Sequence, residues 1–279
     1  MGQGEIKFTK AVATGNDFII IDNRNLKLKD GINQFAKTLC DRKYGIGADG
    51  LLLLEKTASA DFRMRIFNSD GSEAEMCGNG SRCAALYANA KGIARADMQI
   101  ETIAGILKAS VKGGNIKVKF TDPKDIQWNL CLMIHECPYK VNFANTGVPH
   151  VIHFVNDLDA VEVNKLGPKM RYHEEFSPHG ANVDFVKIVD KNNNKIALRT
   201  YERGVEDETF ACGTGAVASA IISAEAEKLG SPVMVETKSG EVLKVYFESV
   251  EGNFKNVYLE GKARLVYEGS ISVNRRPSV

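Results

Sequence analysis

The sequence predicts an α+β fold of two pseudosymmetric domains, each a curved, mostly antiparallel sheet wrapped around a central helix. Three observations lead there. A Cys-Gly-x-Gly turn occurs twice, at Cys77-Gly78-Asn79-Gly80 and Cys212-Gly213-Thr214-Gly215, with the cysteines 135 positions apart. The same offset carries Ala85 to Ala220, Glu101-Thr102 to Glu236-Thr237 and Gly105 to Gly240 without a gap. Each turn also runs into a segment rich in small residues and poor in charge, the composition of a helix buried on most sides.

Taken in chain order, alternating apolar residues over 6–13 and 62–67 read as strands. Asp17-Phe18 with Ile19-Ile20-Ile21 echoes Asp184-Phe185 with Val186, Ile188 and Val189, which extends the repeat upstream in looser register. A helix is expected over 81–91, closed by Gly92. A hairpin follows, from 105–111 through Gly113-Gly114-Asn115 into 116–120. Asp122-Pro123-Lys124-Asp125 interrupts the strand pattern and marks a linker. In the second half, a helix over 216–229 closed by Gly230 precedes a hairpin from 242–247 through Gly252-Asn253 into 257–259. The stretch from Tyr267 lies outside the second repeat and is expected to return to the first sheet. The domains are therefore 1–124 with 267–279, and 125–266, with the active site in the cleft between them.

A chain of 279 residues exceeds the size at which one core stops growing, so two domains suit its length. With a formal net charge of +1 and Lys and Arg spread along the chain, there is no basic face to gather nucleic acid. No apolar run reaches membrane-spanning length, and the start Met-Gly-Gln-Gly-Glu-Ile carries no secretory pattern. A cytoplasmic protein is expected, with its six cysteines as reduced thiols. No Cys-x-x-Cys pair occurs, and Cys131 and Cys137 around His135 read as one strand of alternating faces, so no metal site is expected. Cys40, Cys83, Cys131 and Cys137 lack the Gly-flanked context and read as structural.

Cys77 and Cys212 each precede an expected helix, beside backbone N–H groups that lack a helical partner. Such a position lowers a thiol pKa toward neutrality, and neighbouring glycines let backbone approach a bound group. A lone nucleophilic cysteine needs a histidine base. A duplicated thiol instead suits a reaction whose two ends are mirror images. In racemisation one base takes the α-proton from one face while its counterpart, as acid, delivers a proton to the other.

At these residues the sequence resembles the diaminopimelate epimerase family, nearly end to end. The matching pieces are Gly15-Asn16-Asp17-Phe18, Gly45-Ile46-Gly47-Ala48-Asp49-Gly50, Phe67-Asn68-Ser69-Asp70-Gly71 and Met76-Cys77-Gly78-Asn79-Gly80-Ser81-Arg82-Cys83. Later come Leu166-Gly167-Pro168, Gly180-Ala181-Asn182-Val183-Asp184-Phe185, Tyr201-Glu202-Arg203-Gly204 and Ala211-Cys212-Gly213-Thr214-Gly215. The resemblance implies Cys77 and Cys212 as the catalytic pair, with no pyridoxal phosphate or metal. It implies that Asn16, Asn68, Asn182 and Arg203 recognise the distal amino-carboxylate end of diaminopimelate. It further implies that Gly78-Asn79 and Gly213-Thr214 bind the reacting carboxylate through backbone N–H groups. His150 and Glu202 would support the thiols, Glu202 also lining the substrate, and the chain would form a homodimer serving lysine and peptidoglycan precursor synthesis. Three positions depart from residues seen in the family: Val148 for an Asn that many members carry, Gly50 for a Gln seen in some members, and Asp184 for a frequent Asn.

Proline and hydroxyproline racemases are the nearest alternative. They share the paired motif but carry His after the first glycine, where this chain has Asn79. From another class, a thiol redox or binding protein also needs reactive cysteines, and substrate-dependent proton exchange separates the two readings.

Overall fold

The computed structural model describes residues 4–26, 28, 30–250 and 252–273. The readings made on the first three residues and on 274–279 lie outside the described residues. The chain divides into two compact units, 1–118 with 262–279, and 119–261. These divisions fall a few residues ahead of the expected ones at 124 and 266, where the turn at 122–125 had suggested the linker.

In the first unit, strands β1 (Gly4–Ala13) and β2 (Asn16–Asp22) pair antiparallel. Helix α1 (Ile32–Cys40) leads into β3 (Gly50–Glu55), which runs parallel to β2. Strand β4 (Phe62–Asn68) returns antiparallel to β3, and the short β5 (Glu73–Ala74) folds back on it. After helix α2 (Gly78–Ala90), β6 (Asp97–Thr102) lies parallel to β4 and continues antiparallel through β7 (Gly105–Lys112) to β8 (Asn115–Lys119). Strand β4 alternates as a half-covered strand should, with Phe62, Met64 and Ile66 buried and Arg63 and Arg65 partly exposed. Strand β3, Gly-Leu-Leu-Leu-Leu-Glu, is apolar on both faces because both are covered.

The second unit repeats this order. Strands β9 (Lys124–Ile134), β10 (Cys137–Asn145) and β11 (Pro149–Phe154) are successively antiparallel. Helix α3 (Val163–Arg171) leads into β12 (Asn182–Asp190), parallel to β11. Strand β13 (Lys195–Glu202) is antiparallel to β12, and β14 (Asp207–Thr209) folds back on β13. After helix α4 (Gly213–Glu227), β15 (Val233–Glu236) lies parallel to β13 and continues into β16 (Val242–Val250) and β17 (Asn253–Lys262). The last strand, β18 (Arg264–Val273), pairs antiparallel with β1 from Val12–Arg264 to Gly4–Val273.

Every pairing in one unit therefore has a counterpart of the same sense in the other. The ladder β18-β1-β2-β3-β4 corresponds to β9-β10-β11-β12-β13, and β5 through β8 correspond to β14 through β17. This corrects the upstream echo. Phe18 pairs with Gly50 as His150 pairs with Asn182, so β2 corresponds to β11, and the counterpart of β12 is β3. The shared Asp-Phe string joined two strands that are not equivalent.

Each central helix is buried nearly all round. Residues 79–85 of α2 and 215–224 of α4 are buried throughout, and each helix packs on the strands of its own unit. Both start three residues before the expected positions, because the Gly-x-Gly segment is itself the first helical turn. Gly92 (φ 65) ends α2 as expected, its N–H donating to Asn89 O and that of Ile93 to Ala88 O. In α4 the left-handed position is taken by Lys228 (φ 55), while Gly230 donates its N–H to Asn194 Oδ1. Helices α1 and α3 exceed the one helix expected per domain. Each lies over a separate apolar cluster, Ile19, Leu51 and Phe67 with α1, and Val151, Val183 and Phe185 with α3.

Candidate active site

In the first unit, Cys77 is the N-cap of α2, and its sulfur accepts from Gly80 N–H at 3.4 Å. Asn16 Oδ1 stands 4.0 Å from the same sulfur. The orientation of that amide is set from behind, since Asn16 Nδ2 donates to Asp49 Oδ2 at 2.7 Å, and a carboxylate accepts only from the NH2 side. Asp49 belongs to a charged cluster. Asp17 accepts from both arms of Arg42 (2.7 and 3.1 Å) and pairs with Lys10 Nζ at 2.8 Å, and Arg42 also reaches Asp49 at 2.8 Å. Burial raises the Asp17 pKa, but Arg42, Lys10 and Asp49 outweigh it and hold the carboxyl well below the usual range.

Asn68 ends β4 beside Gly50, its side chain donating to Ser72 Oγ at 3.0 Å. A Cβ at Gly50 would meet Phe67 O at 2.9 Å, so this position has little room for the Gln that some family members carry. The Asn79 side chain accepts from the fully buried Arg82 at 2.7 Å, and Arg82 also donates to Thr14 Oγ1 at 2.6 Å. Asn16, Gly50, Asn68 and Cys77 thus come from the start of β2, the start of β3, the end of β4 and the start of α2.

The second unit assembles the equivalent ends. Cys212 is the N-cap of α4 and is buried. Its sulfur lies 3.3 Å from Thr214 Oγ1, which lies 2.9 Å from His150 Nε2. On the far side of the ring, His150 Nδ1 is 2.7 Å from Asp184 Oδ2, and Asp184 Oδ1 accepts from the Thr200 hydroxyl at 2.7 Å. Asn182 donates to Pro149 O at 3.1 Å and accepts the Arg203 backbone N–H at 2.8 Å. Thr146 Oγ1 donates to Thr214 O at 3.0 Å. Among the described residues the Arg203 guanidinium makes no salt bridge, which leaves its fork open to a carboxylate. The strand correspondence makes Val148 the counterpart of Asn16, so the second unit has an apolar side chain where the first has an amide.

The electrostatics of Cys212 differ from the sequence expectation. Burial, then the charges of Glu202 and Asp184, push its thiol well above the ordinary range, against the opposing pull of Thr214 and the Gly215 N–H. The helix N-terminus is outweighed because the sulfur has lost its water. Glu202 is likewise raised by burial, with Thr209 and His150 acting in the opposite direction and Asp184 adding to the rise. Cys40 is pushed up to about 11 by burial, the behaviour of a structural thiol. Cys131 and Cys137 are exposed on two different strands, joined by a turn in which His135 and Glu136 both have positive φ (49 and 63). The single strand expected there is a hairpin, built on the left-handed pair that a tight connection needs.

Within the first unit Asn16 stands beside Cys77, with Gly78 and Asn79 following it in α2, while Asn68 is placed beside Gly50. In the second, Thr214, His150 and Asn182 are linked in turn from Cys212, Glu202 acts on it by charge, Gly213 follows it in α4, and Arg203 is tied to Asn182 by its backbone N–H. Sequence reasoning gave no role to Asp49, Arg82, Asp184 or Thr200. For Asp49, Arg82 and Asp184 the signal was an ionisable side chain inside an otherwise apolar or small-residue segment; Thr200, between Arg199 and Tyr201, had none.

The model of the diaminopimelate epimerase family matches residues 8–125 and 142–266. A diaminopimelate epimerase of Aquifex aeolicus is 43% identical, covering 96% of this chain and 98% of that protein. One from Methanocella arvoryzae is 41% identical, covering 97% and 98%. Among solved structures, a phenazine biosynthesis protein of the PhzF family from Bacillus anthracis has a TM-score of 0.77 at 19% identity, covering 97% of this chain and 100% of that one. A hydroxyproline epimerase from Agrobacterium vitis with bound trans-4-hydroxy-L-proline has a TM-score of 0.68 at 14% identity, covering 96% and 93%. At such identities the two structures establish a shared fold. The sequence matches go further, and the chain belongs to the diaminopimelate epimerase family.

Proposed function

We propose that this isomerase interconverts L,L- and meso-diaminopimelate by moving a proton at one α-carbon, with Cys77 and Cys212 as the acid–base pair. The observation that carries the reading is the equivalence of the two thiols: each caps the central helix of its unit, at the same place in the same order of elements. Family membership supplies the substrate. The reaction requires one sulfur on each face of the α-carbon, one ionised to take the proton and the other protonated to give one. Charge then accumulates on the substrate carboxylate, and the unpartnered N–H groups of Gly78-Asn79 and Gly213-Thr214 are the donors that would meet it. Asn16, Asn68, Asn182 and Arg203 would hold the distal end, and His150 and Glu202 would support Cys212.

The reading includes a cytoplasmic homodimer in lysine biosynthesis. In its support, no helix among the described residues is long and apolar enough to cross a membrane, and the net charge is +1. Light scattering of the purified protein tests the dimer. The decisive experiment is proton NMR of L,L-diaminopimelate in heavy water with purified protein and a thiol reductant. Loss of the α-proton signal together with appearance of the meso isomer is expected. Unchanged substrate in the presence of folded protein would remove the assignment.

A further inference from the structure

Gly80 and Gly215 occupy the same place in the two units yet face different neighbours. A Cβ at Gly80 would touch Leu52 Cδ2 at 3.2 Å and Phe18 Cε1 at 3.6 Å, whereas at Gly215 it would run into Asp184 Oδ1 at 2.6 Å. The ladder registers make Phe18 the counterpart of His150, and Leu52 that of Asp184. Where the first unit sets hydrocarbon behind its helix start, the second sets a histidine and a carboxylate whose side chains are both 0% exposed. Burying two ionisable groups is costly unless they are paired and hydrogen-bonded. Here they continue an unbroken chain to the thiol: Asp184 to His150 at 2.7 Å, His150 to Thr214 at 2.9 Å, and Thr214 to Cys212 at 3.3 Å.

We propose that the Thr214 hydroxyl relays a proton between Cys212 and His150, with Asp184 as the positioning residue that orients the imidazole and steadies its charged form. The proposal rests on the reading of Cys212 as one of the two bases. Asp184 accepts from Nδ1, so the neutral ring carries its proton there and presents Nε2 as an acceptor. Two donors meet that nitrogen, the Thr214 hydroxyl and Asn182 Nδ2 at 3.4 Å. In this state the Cys212 S–H donates to Thr214 Oγ1. In the transfer, the S–H bond breaks as a new O–H bond forms on Thr214, while the former Thr214 O–H bond breaks and an Nε2–H bond forms. The net change is one proton moved from sulfur to imidazole, leaving a thiolate that accepts from Thr214 and an imidazolium beside the Asp184 carboxylate.

The relay answers a specific difficulty. A thiol pushed up by burial and by Glu202 and Asp184 stays protonated at rest and gives up its proton reluctantly, so it needs help to serve as the base. Moving its proton only as far as His150 keeps the charge of the buried cluster constant. The groups whose charge acts on Cys212 are Glu202 on β13 and Asp184 on β12; Glu202 is itself raised by Asp184 and is lowered by His150 on β11 only when that ring carries the extra proton. Strands β10, β15 and β16, which also pack on α4, supply none of these.

The test follows the alkylation rate of Cys212 by iodoacetamide against pH in Cys77→Ala protein, with the labelled peptide identified by mass spectrometry. Thr214→Ser keeps a relaying hydroxyl and should retain the parent curve. Thr214→Val removes it. Asp184→Asn can keep the geometry, since Thr200 can turn to accept the amide N–H, but it loses the charge. Thr214→Val should move the curve up by about one pH unit or more, so that labelling at neutral pH falls about tenfold. Asp184→Asn removes a charge that itself raises the thiol, which alone would move the curve down, and loss of the relay should cancel or reverse that fall. A curve left in place by Thr214→Val, a curve moved down by Asp184→Asn, or a Ser variant as impaired as the Val one overturns the relay. If Thr214→Val does not fold, the Ser and Asp184→Asn curves decide. Epimerisation by the unsubstituted protein is scored separately: its absence removes the substrate assignment, while unmoved labelling curves in an active enzyme remove the relay alone.

Discussion

The two sulfurs differ more in their surroundings than in their placement. Cys77 is met by a backbone N–H and an amide oxygen, and Cys212 by a hydroxyl backed by an imidazole. Because one sulfur must be ionised while the other is protonated, the rate of epimerisation should rise and then fall with pH; a profile that climbs to a plateau at high pH contradicts the two-base exchange. Cys77→Ala should reduce kcat by about a thousandfold or more while leaving binding of diaminopimelate measurable by calorimetry. Asp17 offers a prediction of a different kind, in stability. Its folded pKa is depressed, so its contribution is complete above the ordinary carboxylate value and is lost as pH falls through the folded one. The gap in Tm between the parent and Asp17→Asn should therefore be widest near neutrality and narrow below about pH 4; a gap independent of pH would assign the effect to packing.

Close packing between elements shows where single atoms matter. Gly167 lies in α3 against β13, and a Cβ there would stand 2.6 Å from Tyr201 Cγ and 2.7 Å from Tyr201 Cβ. Gly167→Ala should lower stability by about 1–3 kcal/mol, as overpacking does, which urea unfolding would measure; an unchanged midpoint would mean that α3 shifts freely. The same glycine illustrates what the sequence conceals. Leu166-Gly167-Pro168 was legible as a motif but not as helix, because Gly and Pro are poor helix formers, and only contact with β13 explains the glycine. The central helices were legible from their small residues, but their first turns were read as loop for the same reason. Strands and hairpins were readable where alternation is local. The equivalence of β2 with β11 was not, because it lies in ladder register between distant segments rather than in shared letters. At the site, the cysteines and their glycines stood out by repetition, whereas Asp184 and Asp49 act through partners that only folding brings near.

At the scale of the whole molecule, the second unit is continuous in sequence and the first is not. Residues 119–261 make one unit, while the other draws its final strand from beyond them. Strand β18 covers β1 along its length, so a chain ending at Gly261 leaves β1 with β2 alone. Such a truncation should unfold the first unit at lower urea while sparing the second, which hydrogen exchange read separately on β3 and on β12 would show; equal loss of protection in both would mean that the units unfold together. The same connectivity sets an order on synthesis. The segments of the first unit leave the ribosome earliest, yet they wait for β18, and the second unit has its complete sequence before the first does. Until then the uncovered edge of β1 is the place where a nascent chain most needs shielding from pairing with a neighbour.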